Sequence, residues 1–276
     1  MLKFTVKDKR CTRCGLCAAD CPADIIKQEG KALPAIQPDQ KAECLQCQHC
    51  LAICPVAAIS ILGKNPDDSF PLSVKSFPKL TQMIRLVRGR RSIRKYKDEN
   101  VDPALIKTLL ATLANVPTGC NQRELTFTLI DDKAVMQSFR EKTLEALAAG
   151  AKANRIPEQF AFIKEAAPAY AERKVDIIFR GAPHALIVSA PPDAPCPGED
   201  VALAVAYFEL LAQCAGLGTV WWGMLKMVLE TLPELKPLIG LPADQVYYAM
   251  LFGHPAIRFR RTVQRDGAAI VKKVSF

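Results

Sequence analysis

Histidine is scarce in this chain, with three copies (His49, His184 and His254) in 276 residues, and no Ser/His/Asp order of the kind a nucleophile and its base require is present. Each histidine falls in a loop or at a strand end, so each reads as structural and hydrolytic chemistry is not expected. A Walker A loop and a dinucleotide fingerprint are also missing. Gly216-Leu217-Gly218 lacks the third glycine and follows a helical stretch rather than a strand. Long apolar runs are few. Only Val201–Trp222 has membrane-spanning length, and it contains Glu209, Gln213, Gly216 and Gly218, which suits a buried core helix better than a bilayer span. The first ten residues show neither the apolar stretch of a secretory signal nor the acid-poor look of a transit peptide. These absences lead to the expectation of a cytoplasmic protein with no membrane partner.

Half of the residues are hydrophobic and 24% are charged, enough apolar side chain to bury a sizeable core. The net charge of +9 is concentrated. Arg85–Lys97 carries seven basic residues and no acid, and Arg258–Lys273 carries six basic residues against Asp266. Nucleic-acid binders usually show a broad basic face with groove-reading or aromatic elements between the charges. Two compact basic segments far apart in sequence fit one small anion better, and taken singly each also fits a solvated face.

Cysteine is plentiful. There are 11, and eight lie in the first 54 residues. Clustered cysteines in a chain without secretory features indicate metal or redox chemistry rather than disulfides. The run Cys11-x2-Cys14-x2-Cys17-x3-Cys21-Pro22 recurs 33 residues later as Cys44-x2-Cys47-x2-Cys50-x3-Cys54-Pro55. This is the spacing of bacterial-type ferredoxins, in which the fourth cysteine of each run serves the other cluster. On that pattern Cys11, Cys14, Cys17 and Cys54 would hold one [4Fe–4S] cluster, and Cys21, Cys44, Cys47 and Cys50 the second. Zinc is the competing occupant, but structural zinc sites use two separated cysteine pairs and need no third cysteine with a Cys-Pro in each half. His49 reads as a loop residue, because all ligand positions are already filled. Cys120 and Cys196 read as loop thiols, and Cys214 as a small core residue on a helix. The Gly-, Asp- and Pro-containing stretch from Gly63 to Pro71 is a linker by composition. The expected domains are residues 1–65 and 78–276.

The second domain reads as α+β. Asp102-Pro103 opens a helix with an apolar stripe through Leu113, and Pro117-Thr118-Gly119 breaks it. The pattern then predicts a strand at Leu125–Ile130, a helix at Lys133–Ala149 and a helical stretch around Glu158–Phe179. A strand at His184–Ala190, a long helix from Asp200 and a last strand at Val246–Phe252 follow. Glu199 and Asp200 read as caps of the long helix.

Four segments of this domain form a constellation. Arg90-Arg91-Ser92-Ile93-Arg94 brings guanidinium groups and a hydroxyl together, as a phosphate requires. Pro117-Thr118-Gly119-Cys120-Asn121 is a polar turn, Gly216–Gly223 supplies small residues and aromatics, and Gly253-His254-Pro255 leads into the basic tail. In these motifs the whole chain resembles the nitroreductase family of FMN enzymes, specifically members preceded by a small two-cluster ferredoxin-like domain. The resemblance implies an antiparallel-rich sheet flanked by helices and a homodimer with FMN at the interface. It assigns Arg90, Arg91, Ser92 and Arg94 to the FMN phosphate and nearby flavin edge. It gives Thr118 and Asn121 as contacts from the partner subunit. The backbone of the Gly216–Gly223 segment, with Trp221, Trp222 and Gly223, would lie beside the isoalloxazine, Met224 would continue that contact, and Arg261 and Arg265 of the tail, with Arg260 next, would return to the phosphate. It departs from the family in having Gln122-Arg123-Glu124-Leu125 where a Gln-Pro-Trp run is frequent, and histidine for tyrosine in the tail.

The implied function is an oxidoreductase in which two clusters relay single electrons to or from FMN, which reduces a small organic substrate of nitro, quinone or enone type. No side chain is implied as a general acid. A ferredoxin and NAD(P)H are the candidate electron donors. A protein-to-protein electron carrier, or a dehydrogenase exporting electrons to ferredoxin, are the alternatives.

Overall fold

A computed structural model describes residues 2–265, 267 and 269–276. The chain divides into two compact units. The first comprises Met1–Pro78 with Cys120–Gln122, and the second comprises Lys79–Gly119 with Arg123–Phe276.

The first unit is built twice from one pattern. Strand β1 (Phe4–Val6) pairs antiparallel with β4 (Ile59–Ile61), and β2 (Ile26–Lys27) pairs with β3 (Ala35–Ile36). Two one-turn helices, α1 (Leu16–Ala19) and α2 (His49–Ala52), each begin inside a cysteine run. The 33-residue repeat is written into the backbone. Left-handed φ values recur at Arg13 and Gln46, Gly15 and Gln48, Asp24 and Ala57, and Gly30 and Gly63. Several of these are not glycine, so the turns are held against a conformational cost of about 1–2 kcal/mol per residue. The apolar core is small: Ile25, Ile26, Ile36, Leu51, Ile59 and Ile61 with the thiols of Cys17 and Cys50. The stretch expected to be a free linker belongs to this unit. Pro66 is buried, and the Asp67 carboxylate accepts hydrogen bonds from Lys7 Nζ at 3.3 Å and Arg10 Nη1 at 2.6 Å.

The second unit is a four-stranded antiparallel sheet with helices on both faces. β5 (Thr126–Ile130), β6 (His184–Ala190), β7 (Gly218–Trp221) and β8 (Val246–Gly253) lie in the order β5-β6-β8-β7. Alternation along the strands sorts the core into two layers. Ala185, Ile187, Ala249 and Leu251 face α5 (Lys133–Lys152), α6 (Ala166–Arg173) and α8 (Gly223–Thr231), around Phe139, Phe179 and Trp222. Leu186, Val188, Met250 and Phe252 face α4 (Pro103–Leu113) and α7 (Pro197–Cys214). An amphipathic helix, α3 (Leu80–Gly89), precedes them and packs against α7.

Three sequence expectations are revised. The run Val201–Trp222 is not one helix: α7 ends at Cys214, Gly216 turns the chain at φ 76°, and β7 follows. α7 starts at Pro197, ahead of Asp200, since proline is tolerated at a first helical position. The helical stretch around Glu158–Phe179 is a 3-10 segment, Glu158–Glu165, followed by the shorter α6. Lys174 ends α6 in a left-handed conformation, and the Asp176 carboxylate then folds the chain by accepting from the amides of Phe179 and Gly181. No helix among the described residues is long and apolar enough to cross a membrane.

Candidate cofactor sites

The eight clustered cysteines line two cavities in the first unit. One is lined by Cys11, Cys14, Cys17 and Cys54. The other is lined by Cys21, Cys44, Cys47 and Cys50. Each cavity therefore takes three thiols from one run and the fourth from the other. Cys14 is exposed, Cys17 and Cys50 are buried, and the other five are intermediate.

Burial pushes the Cys17 thiol up, helped by the charges of Cys54 and Cys11. Cys50 is pushed up to about 12, again by burial first and then by Cys47, Cys44 and Cys21. Thiols packed this way ionise readily only when a cation compensates them, which is the situation of thiolate metal ligands. The backbone also turns toward sulfur, with the Ala58 amide donating to Cys54 Sγ at 3.2 Å. Beside the second cavity, His49 Nδ1 lies 3.3 Å from Asp20 Oδ2, so this histidine has a carboxylate partner and is not left over for a metal. Among the described residues no group of His, Cys, Asp or Glu is placed to hold a single metal ion. The donor set, four sulfurs around each of two cavities, fits a cluster.

In the second unit, three of the four segments singled out by sequence meet at the β7 end of the sheet. The Ile93 amide donates to Thr219 O at 2.8 Å, and Ser92 bridges Thr219 in a parallel sense. The approach is close because residue 218 is glycine. A Cβ there would stand 2.7 Å from Ile93 Cγ1. Tyr96 then meets the Gly253-His254-Pro255 segment. It bridges Pro255, the Lys97 amide donates to His254 O at 2.9 Å, and the Ala256 amide donates to Lys95 O at 2.9 Å. A Cβ on Gly253 would strike Pro183 at 2.7 Å and crowd Tyr96 at 3.3 Å. The Tyr96 hydroxyl is spent on Ile93 O at 2.8 Å, and its burial raises its pKa.

Within this corner the arginines differ. Arg90 Nη1 donates to Glu209 Oε1 at 3.1 Å. Arg91 Nη2 donates to Arg88 O at 2.7 Å, while Arg91 Nε is buried with no partner. A buried, unpaired guanidinium N–H is costly to leave so, and an anion would satisfy it. Arg94 is exposed. Trp221 is partly buried, its Nε1 donating to Glu209 Oε2 at 3.2 Å and its ring edge-on to Tyr248 at 5.2 Å. Gly223 opens α8, and Met224 packs at the edge of the core.

The Trp222 ring is 1% exposed, donates from Nε1 to Ile178 O at 2.8 Å and lies tilted against Phe179 at 5.0 Å, so the ring belongs to the core and the backbone is the part of this residue that follows β7. Arg261 and Arg265 are exposed and, among the described residues, make no ion pair. After the Ala256 tie to Lys95, the described residues of the tail carry no helix or strand.

The Pro117–Asn121 turn is held elsewhere. The Gly119 amide donates to both carboxylate oxygens of Asp200, at 2.9 and 3.2 Å, and the Arg123 amide donates to Thr118 Oγ1 at 3.0 Å. Asp200 is thus an anchor for this turn, not the helix cap it resembled in sequence. Asn121, which groups with the first unit, donates from Nδ2 to Leu45 O at 2.7 Å. Sequence reasoning missed Glu209 and the anchoring part of Asp200. Their signal was present as acids in a largely apolar helix, where Glu199, Asp200 and Glu209 are the three that α7 carries.

Comparison with known proteins accords with these two halves. Residues 87–254 match the nitroreductase family, and residues 10–59 match the 4Fe-4S dicluster domain. An Archaeoglobus fulgidus protein provisionally named NADH dehydrogenase/NAD(P)H nitroreductase is 24% identical over 177 residues, covering 64% of this chain and 87% of that protein. A ferredoxin-like protein in the nif region of Sinorhizobium fredii is 31% identical over 58 residues, 20% of this chain and 89% of that one. A Bacteroides fragilis nitroreductase with bound FMN superposes with a TM-score of 0.55 at 21% identity, covering 69% of this chain and 99% of that chain. A Desulfitobacterium hafniense nitroreductase with bound FMN gives 0.54 at 20% identity, with 70% and 100% covered. The fold of the second unit is that of the nitroreductases.

Proposed function

The chain belongs to the nitroreductase family and carries an N-terminal 4Fe-4S dicluster domain, and we propose that it is an FMN-dependent oxidoreductase whose two [4Fe–4S] clusters relay single electrons to or from the flavin. The observation that carries this reading is the meeting of Arg90–Tyr96, Gly218–Trp221 and Gly253–Pro255 in one corner, with Arg91 Nε buried and unpartnered there. When bound, clusters of this kind supply one-electron transfer, and FMN joins single electrons to a two-electron exchange with substrate.

The chain's own contribution is position and charge. Cys11, Cys14, Cys17 and Cys54 hold one cluster and Cys21, Cys44, Cys47 and Cys50 the other, a division supported by the two cavities they line. Arg91 and Arg94, with the Ser92 hydroxyl, take the FMN phosphate. The Trp221 edge, the Gly223 backbone and Met224 border the ring. Two flavin sites lie at the interface of a homodimer, with Thr118 and Asn121 contributed by the partner subunit. Dimerisation is supported by an apolar face of α3 left open to solvent, where Leu80, Ile84 and Val87 are 74%, 43% and 56% exposed at helical spacing. The substrate is a small nitro, quinone or enone compound, and a ferredoxin or NAD(P)H is the electron donor.

Protein purified without oxygen should contain about eight irons, matching acid-labile sulfide, and one FMN per chain. Reduced ferredoxin or NAD(P)H should then bleach the flavin absorbance, and a nitro, quinone or enone substrate should restore it. Full iron with no flavin uptake after added FMN would overturn the enzyme and leave a one-electron carrier.

A further inference from the structure

Glu209 lies in the C-terminal half of α7 and is 7% exposed, between Phe208 and Ala212 of its buried face. A carboxylate in such a place costs several kcal/mol unless it is well partnered, and apolar replacement of a buried ion pair is often no less stable. Stability alone is therefore a poor reason for an acid here. Its two oxygens divide their partners. Oε1 accepts from Arg90 Nη1 at 3.1 Å, and Oε2 accepts from Trp221 Nε1 at 3.2 Å. One partner opens the arginine-rich segment and the other closes β7, so a single side chain joins two of the segments that meet in the proposed flavin corner.

We propose that Glu209 is a positioning residue that sets the Arg90 guanidinium and the Trp221 indole for FMN before it arrives. The inference rests on the FMN reading above. Arg90 then acts as an oriented fork whose charge Glu209 offsets, and the attraction for a phosphate falls to Arg91 and Arg94. A glutamine at 209 has one acceptor for two donors and turns an N–H toward one of them, so the arrangement is broken without a change of shape.

The test uses full-length protein stripped of flavin and titrated with FMN, followed by flavin and tryptophan fluorescence. Glu209→Gln is expected to weaken FMN binding about tenfold, the scale of one charge-assisted hydrogen bond. Its tryptophan emission should change as the Trp221 indole loses its partner. Arg90→Met should also weaken FMN, and the Arg90→Met/Glu209→Gln double variant should bind no worse than the weaker single variant, because Glu209 acts through Arg90. Independent, additive losses, or unchanged FMN affinity in Glu209→Gln, would overturn the proposal. Should Glu209→Gln fold poorly, Glu209→Met in the Arg90→Met background removes both charges and serves the same comparison. A wild-type chain that takes up no FMN defeats the flavin reading itself, a separate outcome.

Discussion

The two units keep their shape by different means. The second buries two apolar layers against both faces of a four-stranded sheet, with β6 buried along its whole length. The first has strands of two or three residues, helices of four, and a core in which two of the eight buried members are cysteines. The first unit is therefore expected to depend on bound metal for its shape, and the second on its apolar layers.

The comparison breaks most visibly if metal is removed. Chelation of iron under reducing conditions is expected to unfold the first unit while the thermal transition of the second persists, read by calorimetry and by proteolysis confined to residues below Lys79. A first unit that keeps its protease resistance without iron would contradict the account. A finer cut uses Cys54→Ser. Sequence adjacency would have this substitution release Cys44, Cys47 and Cys50, whereas the cavity linings expect Cys11, Cys14 and Cys17 to become open to alkylation, about half the iron to be lost, and Cys44 to stay protected. Mass spectrometry of alkylated peptides distinguishes the two patterns.

The same contrast explains what could be read from sequence. The cysteine runs are legible because ligand spacing is a local property, and even the exchange of the fourth cysteine follows from the motif. Strand β6 and helix α4 were equally plain, one as a continuous apolar run and the other from Asp102-Pro103 and its stripe. What escaped depends on partners distant in the chain. Nothing near Trp222 tells its ring from that of Trp221; only the packing of Phe179 and Phe139 sends one inward and the Glu209 carboxylate holds the other at the edge. The Glu199-Asp200 pair looked like caps because the turn that Asp200 binds lies 81 residues earlier. Gly63–Pro71 has the composition of a linker, and only the burial of Pro66 and the pairing of Lys7 and Arg10 with Asp67 reveal that its middle is tied to the first unit.

The smallest effect belongs to pH and separates the units again. His184 begins β6, is fully buried against Phe252, and its Nε2 accepts the Val101 amide at 2.9 Å, which requires a neutral ring. Burial lowers its pKa, His254 adds to this, and the charges of Asp131 and Asp132 pull the other way. Because the folded-state value lies below the unfolded one of about 6.5, the stabilisation is complete above that pH and is lost as pH falls toward the folded value. The second unit should therefore melt a few degrees lower at pH 5 than at pH 7, given roughly 2–4 °C per kcal/mol for a domain of this size. His184→Gln, which can still accept from Val101 but does not titrate, should flatten that dependence. Asp132, held below its ordinary pKa by the amides of Val135 and Ala134 at the start of α5, loses its contribution only at more acid pH, so the two windows are distinct. An unchanged slope between pH 7 and 5 in His184→Gln would show that the acid sensitivity of the second unit does not come from this histidine.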